Sequence, residues 1–124
     1  MAGRITATLT AGLPWLVSTE NGRVLGYAYA SKWKSRCSYR FSLETTVYLD
    51  KDAVGHGIGT KLYTALIDVL QSSQTHALIG GIALPNAASV ALHEKLGFVK
   101  VAQFKEVGFK FNQWIDVGYW ELIL

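Results

Sequence analysis

The feature that most constrains the fold is a change of hydrophobic pattern near residue 54. Residues 54–60 form a Gly-rich run, Val-Gly-His-Gly-Ile-Gly-Thr, after a stretch that reads as β-strands. Apolar residues then recur at helical spacing, at Ile58, Leu62, Leu66, Val69 and Leu70. That spacing is the period of an amphipathic helix. The chain is therefore predicted to join strands to helices in an α/β or α+β fold.

Strand and helix signals on both sides of this run give the order β-β-β-α-β-α-β-β. Turn residues or a change of hydrophobic period mark the ends of each of the other elements. The strands before the Gly-rich run are predicted at 14–18, 24–30 and 39–49. After the first helix we predict a strand at 77–84, a helix at 87–96, and strands at 98–111 and 114–124. Asn21-Gly22 predicts a type I′ hairpin turn. Gly97 is predicted to end the second helix, and the apolar strand at 77–84 to be buried on both faces.

Composition places the chain among single-domain globular proteins. Its 124 residues fit one domain over 1–124, and 50% apolar with 17% charged residues excludes a disordered chain. No apolar run is long enough to span a membrane, and no signal peptide is recognised, so we expect no membrane partner. The single Cys37 has no partner for a disulfide and no zinc-ligand spacing, so we expect no metal and a cytoplasmic protein. Residues 1–12 are expected to be partly ordered at best.

A basic segment lies between the second and third predicted strands. Four of the twelve cations fall within nine residues, at Lys32, Lys34, Arg36 and Arg40. Two interpretations stay open: a solvated loop, or a local positive field that attracts a small anion or a phosphate. The net charge of +3 is mild and no nucleic-acid motif accompanies the segment, so no nucleic-acid partner is predicted.

Gly55, Gly57 and Gly59 stand between a strand and a helix. Glycines let backbone N–H groups approach a ligand closely, and a helix N-terminus adds positive potential, so the run is a candidate phosphate site. A flexible connection is the alternative. No Gly-Lys-Ser/Thr follows, which excludes a P-loop, and the glycines do not have the spacing of a dinucleotide fold.

Several motifs together resemble the GNAT superfamily of acyl-CoA N-acyltransferases. Gly57-Ile58-Gly59 opens the helix, and Asn86, Ser89 and Glu94-Lys95-Leu96-Gly97-Phe98 follow. The strand Glu44-Thr45-Thr46-Val47-Tyr48-Leu49 and the segments 82–86 and 107–117 resemble the phosphinothricin and methionine sulfoximine N-acetyltransferase branch. The resemblance runs from about Pro14 to the C-terminus. It implies a mixed, mostly antiparallel sheet and transfer of acetyl from acetyl-CoA to a small amine.

The resemblance implies a set of residues that bind acetyl-CoA. Backbone N–H groups of the third strand would polarise the thioester carbonyl, at Val47, Tyr48 and Leu49. The pyrophosphate loop would comprise Gly55, His56, Gly57, Ile58, Gly59 and Thr60. Asn86 and Ser89 would contact the pantetheine arm, although Asn86 is equally suited to cap a helix.

The implied reaction is direct attack of an amine on the thioester, and two titratable residues are candidates for it. Glu44 is a lone carboxylate in an apolar, hydroxyl-rich strand, where burial would raise its pKa toward that of a useful base. The alternative is an edge charge or an ion-pair partner of Arg40. His93 stands where the family often has the acid that protonates the thiolate; the alternative is a surface histidine.

The acceptor implied by the resemblance is a small anionic amino acid. Cations suit a carboxylate or phosphinate, and the residues implied to bind substrate are Lys34, Ser35, Arg36, Glu44, Thr45 and Thr46.

Two departures from the family pattern support a second hypothesis. Val54 occupies the position where the pyrophosphate loop usually has Gln or Arg, and only thirteen residues precede the first predicted strand, where a strand and two helices are usual. The alternative function is therefore a catalytically impaired acyl-CoA-binding remnant. The apolar end Leu122-Ile123-Leu124 must be covered, either by its own sheet or by a partner subunit. Because the usual first strand is not recognised, a homodimer is predicted.

Overall fold

The computed structural model describes residues 2–124. The helices are α1 (Ala2–Thr10), α2 (Ile58–Gln71) and α3 (Ala87–Lys95). The strands are β1 (Trp15–Glu20), β2 (Arg23–Lys32), β3 (Ser42–Leu49), β4 (Ala77–Ala83), β5 (Val99–Lys110) and β6 (Gln113–Ile123). Short 3₁₀ turns occupy Cys37–Tyr39 and Lys51–Ala53. The strand and helix order predicted from residue 14 onward is confirmed.

One six-stranded sheet organises the chain, in the order β1-β2-β3-β4-β6-β5. Every neighbouring pair is antiparallel except β3 and β4, which are parallel. This confirms a mixed, mostly antiparallel sheet. Because β6 lies between β4 and β5, the apolar C-terminal strand is covered on both edges by its own sheet.

Two local expectations are wrong. Residues 2–10 form helix α1, which buries Thr8 against β1 and β2, so this segment is ordered by packing that its small, Thr-rich sequence does not reveal. The third strand begins at Ser42 rather than at Tyr39, because Cys37–Tyr39 closes a 3₁₀ turn in which the Arg40 amide donates to the Cys37 carbonyl.

The predicted turns and helix ends are confirmed. Asn21 and Gly22 have φ values of 52° and 79°, as a type I′ turn requires, and Gly97 follows α3 with φ of 97°. Strand β4 is buried on both faces only over its first four residues; Gly81 and Ala83 are exposed.

The core lies between α2 and the sheet. Helix α2 buries Leu62, Leu66 and Leu70 as the period predicts, whereas Val69 stays 47% exposed and Tyr63 takes a core position instead. On β2 the small side chains of Ala28 and Ala30 are fully buried beneath this helix. Small residues there let α2 approach the sheet closely, which fixes the position of its Gly-rich N-terminus.

Candidate active site

Strands β3 and β4 pair only at their beginnings. Their hydrogen-bonded register covers three residue pairs, from Ser42 with Ala77 to Glu44 with Ile79. Both strands continue beyond these pairs, β3 to Leu49 and β4 to Ala83, without pairing to each other. We call the space between residues 45–49 and 80–83 the β3–β4 opening. It is a gap between two neighbouring strands of the sheet, so backbone groups there are available to a ligand.

The hydrogen bonds between β2 and β3 show which amides of β3 face this opening. The Asp50 amide donates to the Leu25 carbonyl on β2 at 2.8 Å, and the register continues with Leu49 opposite Gly26. N–H groups alternate sides along a strand. The amides of Val47 and Leu49 therefore face the opening, whereas that of Tyr48 faces β2. Of the three amides proposed from the sequence, two are directed at the gap.

Glu44 stands at the apex of the opening, on one face of the sheet. An ideal Cβ built on Gly81 would lie 3.6 Å from Glu44 Oε2 and 3.1 Å from the Tyr119 ring, so these groups share that face. The carboxyl is half-buried, and desolvation raises its pKa, while the charge of Lys34 acts in the opposite direction. Arg40 instead donates to the Cys37 carbonyl at 2.9 Å, so the alternative of an Arg40 ion pair does not hold.

His93 lies on the opposite face, beneath the same apex. A Cβ on Gly80 would meet His93 Nε2 at 2.5 Å, and successive residues of a strand point to opposite faces. Tyr63 Oη lies 3.0 Å from His93 Nε2 and 2.5 Å from Thr45 Oγ1. Tyr63, Thr45 and His93 are all buried. His93 is thus a core residue in a hydrogen-bonded chain, not a surface histidine.

The direction of this chain follows from its last acceptor. His93 Nδ1 lies 2.8 Å from the Ser89 carbonyl, which only accepts, so Nδ1 carries the proton in the neutral ring. Nε2 then accepts from the Tyr63 hydroxyl, which in turn accepts from Thr45. Desolvation lowers the pKa of His93, and the Ser89 carbonyl partly opposes that effect. The neutral imidazole therefore dominates at neutral pH and presents an acceptor at Nε2.

A groove runs along the Gly-rich loop and reaches the opening. It measures about 330 Å³ and lies between the loop and α3. Its lining includes most of the residues proposed for the pyrophosphate, namely Gly55, Gly57, Ile58, Gly59 and Thr60, together with Leu49. Gly55 and Gly57 have φ of 88° and 76°, a conformation that favours glycine. We call it the Gly-loop groove.

Three other proposed cofactor residues are placed differently. His56 lines a separate depression with Asp52 and Lys61 rather than the Gly-loop groove. Asn86 caps α3, with its side-chain oxygen accepting from the Ser89 amide at 3.1 Å. The capping interpretation of Asn86 is confirmed, and the Ser89 backbone is used by both Asn86 and His93.

A pocket of about 340 Å³ opens on the Glu44 face, and we call it the open-face pocket. Trp33, Phe104 and Tyr119 give it an apolar lining, and Lys34 and Glu121 add charge at its wall. Ser35 and Arg36 are exposed on the neighbouring loop. By strand alternation Thr46 shares the face of Glu44, but Thr45 does not: its hydroxyl faces Tyr63.

Sequence reasoning missed four residues that shape the site: Tyr63, Gly80, Gly81 and Lys95. Tyr63 is 18 and 30 residues from its hydrogen-bond partners, so no local spacing signals it. The pair Gly80-Gly81 inside an apolar strand is a signal for close approach of other groups. Lys95, the last residue of α3, lines the Gly-loop groove; it belongs to the motif at 94–98 that carries the resemblance, but the motif alone does not place it beside a loop more than thirty residues earlier.

Over residues 2–124, no cluster of three or more His, Cys, Asp or Glu side chains could hold a metal ion. No helix in that range is long and apolar enough to cross a membrane.

The residues present fit acetyl-CoA as a co-substrate. The Gly-loop groove offers loop amides without side chains and the small Ala88 and Ala91 of α3, and it leads past Leu49 to the unpaired edge of β3. A phosphate-bearing donor with a thioester at its far end suits a groove that joins a strand opening.

Comparison with known proteins identifies the family. Residues 4–118 match the model of the Acetyltransferase (GNAT) domain. A phosphinothricin N-acetyltransferase from Alcaligenes faecalis is 44% identical over 94% of this chain and 59% of its own length. An L-methionine sulfoximine/L-methionine sulfone acetyltransferase from Salmonella typhimurium is 42% identical over 91% of this chain and 66% of its own length. The chain thus spans about three fifths to two thirds of these two relatives.

Solved structures give the same result. A GNAT superfamily phosphinothricin acetyltransferase from Sinorhizobium meliloti, in complex with AcCoA, superposes with a TM-score of 0.95 at 35% identity, over 100% of this chain and 68% of that one. These matches confirm the resemblance and its branch. The chain belongs to the GNAT acetyltransferase family.

Proposed function

We propose that this chain is an acetyl-CoA-dependent N-acetyltransferase that acetylates the amine of a small amino-acid-like substrate by direct attack. The observation that carries the proposal is the β3–β4 opening, which has a half-buried carboxyl of raised pKa at its apex and the Gly-loop groove at its far end. The phosphinothricin and methionine sulfoximine acetyltransferases among its relatives support this substrate class.

Glu44 acts as the base in this proposal. An amine must lose a proton to attack a thioester, and Glu44 borders the opening from the side of the open-face pocket. Partial burial raises its pKa, which makes the ionised carboxylate a better proton acceptor than an exposed one. The amides of Val47 and Leu49 would stabilise the oxyanion that forms on the thioester carbonyl.

His93 is assigned to the leaving thiolate because it flanks the opening from the other face. Its neutral ring has no proton at Nε2, so His93 must first take up a proton from solvent at this atom. It then gives that proton to the thiolate and returns to the neutral form, while the proton of the amine goes to Glu44. The hydroxyls of Tyr63 and Thr45 can rotate so that Nε2–H donates to Tyr63 and Tyr63 donates to Thr45. The hydrogen-bonded chain therefore accommodates both states of the ring without movement of heavy atoms.

The acceptor is proposed to bind in the open-face pocket. Lys34 lies close enough to Glu44 to lower its pKa, so it can hold the acid group of a substrate whose amine faces Glu44. Ser35 and Arg36 are proposed as further contacts from the adjacent loop, and Thr46 from the same face of β3. Thr45 acts through Tyr63 rather than on substrate.

A homodimer in the cytoplasm is also proposed, with the exposed edge of the sheet as its basis. Strand β5, not the C-terminal strand, is the apolar edge: Val99, Val101, Val107 and Phe109 are more than half exposed. Such an edge favours pairing with a second copy. Cys37 is free, which agrees with a reducing compartment.

Titration of acetyl-CoA into the purified chain by calorimetry tests the proposal first. Saturable binding in the micromolar range is expected, followed by thiol release when phosphinothricin or methionine sulfoximine is added. Binding without release for any amino acid would instead support the impaired remnant, which the comparisons do not favour. No binding would refute acetyl-CoA as the donor.

A further inference from the structure

The loop that lines the Gly-loop groove supplies no lysine or arginine of its own. Residues 54–60 contain His56 as their only titratable side chain, and His56 lines the separate depression beside Asp52 and Lys61. Val54, at the groove's rim, is 55% exposed and apolar. A pyrophosphate carries negative charge, so loop amides and the helix dipole alone would leave much of it unneutralised.

Lys95 provides a cation from the opposite wall. It lies in the last turn of α3, and its Nζ is 3.5 Å from Thr60 Oγ1 in the first turn of α2, so its side chain reaches across the groove. Ala88, Ala91 and Leu92 line the same wall at helical spacing, which puts Lys95 on the face of α3 that borders the groove. Among the lining residues of the groove over the described range 2–124, Lys95 is the one Lys or Arg.

The Lys95 ammonium is not committed to a carboxylate. Over residues 2–124 the ion pairs are those of Arg23 with Asp50 and Asp52, so no Asp or Glu lies within 4 Å of Lys95. The adjacent Glu94 accepts from the Trp120 indole at 3.1 Å instead. A lysine in the last helical turn also interacts favourably with the helix dipole. A test must therefore distinguish this purely structural role from phosphate binding.

We propose that Lys95 binds the pyrophosphate of the acyl donor and supplies the cation that the loop lacks at Val54. This inference rests on the proposed function, because it takes the Gly-loop groove as the donor site. It makes the chain selective for donors that carry phosphate, since a lysine acts as a point charge on phosphate and gains nothing from the pantetheine arm.

Calorimetric titration of three probes tests the inference without measuring turnover. Lys95→Gln is expected to weaken acetyl-CoA binding about tenfold at low salt, less at high salt, and to leave binding of S-acetylpantetheine unchanged. The loss should be as large for 3′-dephospho-acetyl-CoA, which retains the pyrophosphate. Lys95→Arg should restore most of the affinity. Lys110→Gln, which removes one positive charge on the distal hairpin, is the matched control.

Each alternative outcome of these titrations would contradict a specific part of the proposal. Equal affinities in Lys95→Gln and Lys110→Gln would refute the contact. An equal loss for acetyl-CoA and S-acetylpantetheine would show that Lys95 shapes the groove rather than binds phosphate. A loss confined to acetyl-CoA and absent for the 3′-dephospho form would move the contact to the 3′-phosphate and refute the pyrophosphate assignment. Failure of the unsubstituted chain to bind acetyl-CoA would remove the proposed function together with this inference.

Discussion

At the apex of the β3–β4 opening, each face of the sheet carries one titratable group, and the two groups differ in burial and in hydrogen bonding. On one face Glu44 is half-buried, has Lys34 nearby and borders the open-face pocket. On the other face His93 is buried, and both of its ring nitrogens have hydrogen-bond partners. Adjacent residues of one strand, Gly81 and Gly80, make room for the two groups.

One physical cause acts on both groups with opposite sign. Desolvation disfavours the charged form, so it raises the pKa of a carboxyl and lowers that of an imidazole. Both shifts move the residues toward their neutral forms. The difference is access: Glu44 faces the side of the open-face pocket, where the proposed amine would bind, whereas His93 is enclosed and hydrogen-bonded to Tyr63, which contacts Thr45.

The largest expected effect comes from removing the carboxyl of Glu44, the proposed base. Glu44→Gln should lower kcat about a hundredfold to a thousandfold, because the amine then loses its proton acceptor, and should leave the Kd for acetyl-CoA unchanged. Steady-state kinetics and calorimetry measure the two quantities. Unchanged kcat would remove Glu44 from the mechanism.

The same substitution should also stabilise the fold at neutral pH. A raised folded-state pKa means that the folded protein holds the Glu44 proton more tightly than the unfolded chain does, so ionisation at higher pH destabilises the fold. Gln removes that cost. Urea unfolding of both proteins should show the gain at pH 7 and a smaller one at pH 4; a loss of stability at pH 7 would contradict the desolvation argument.

The next largest effect is on stability, and it should differ between substitutions of Gly80 and Gly81. Gly80→Ala would place a methyl group 2.5 Å from His93 Nε2 against a packed ring, and should lower the free energy of unfolding by about 1–3 kcal/mol. Gly81→Ala is the matched control, because its methyl would meet the Tyr119 side chain at 3.1 Å on the more open face. Its cost should be clearly smaller. Equal costs by urea unfolding would contradict the asymmetry of the two faces.

The smallest effect is a shift in pH dependence. The charge of Lys34 lowers the pKa of Glu44, so Lys34→Gln should raise it and move the rising limb of the kcat profile to higher pH. The shift should be about a few tenths of a pH unit, since Lys34 is exposed. Lys32→Gln, which removes a neighbouring positive charge outside the open-face pocket, should leave the limb in place. A shift to lower pH would reverse the sign of the argument.

The sequence predicts what short-range pattern determines. The helical period predicts α2, and Asn21-Gly22 predicts the hairpin. The sequence of β3 contains Glu44 as its one carboxylate. Contacts between residues that are distant in the sequence are not predicted by such patterns. The burial of Thr8 in α1 and the Thr45–Tyr63–His93 chain depend on which elements pack together in the fold.

The position of β6 is another example, because an apolar C-terminal segment is compatible with either an edge or an interior strand. Only the sheet order, β4-β6-β5, shows that β6 is interior and moves the exposed apolar edge to β5. The sequence thus proposes the residues of the candidate site along one strand and one loop, but not their arrangement on the two faces of the sheet.

The most direct test of the account is a titration of acetyl-CoA followed through backbone amide resonances of β3. If the thioester enters the β3–β4 opening, the amides of Val47 and Leu49 should shift markedly, and that of Tyr48, which faces β2, should shift much less. Saturable binding with uniform or absent shifts at these three amides would contradict the central claim that the opening receives the acetyl group.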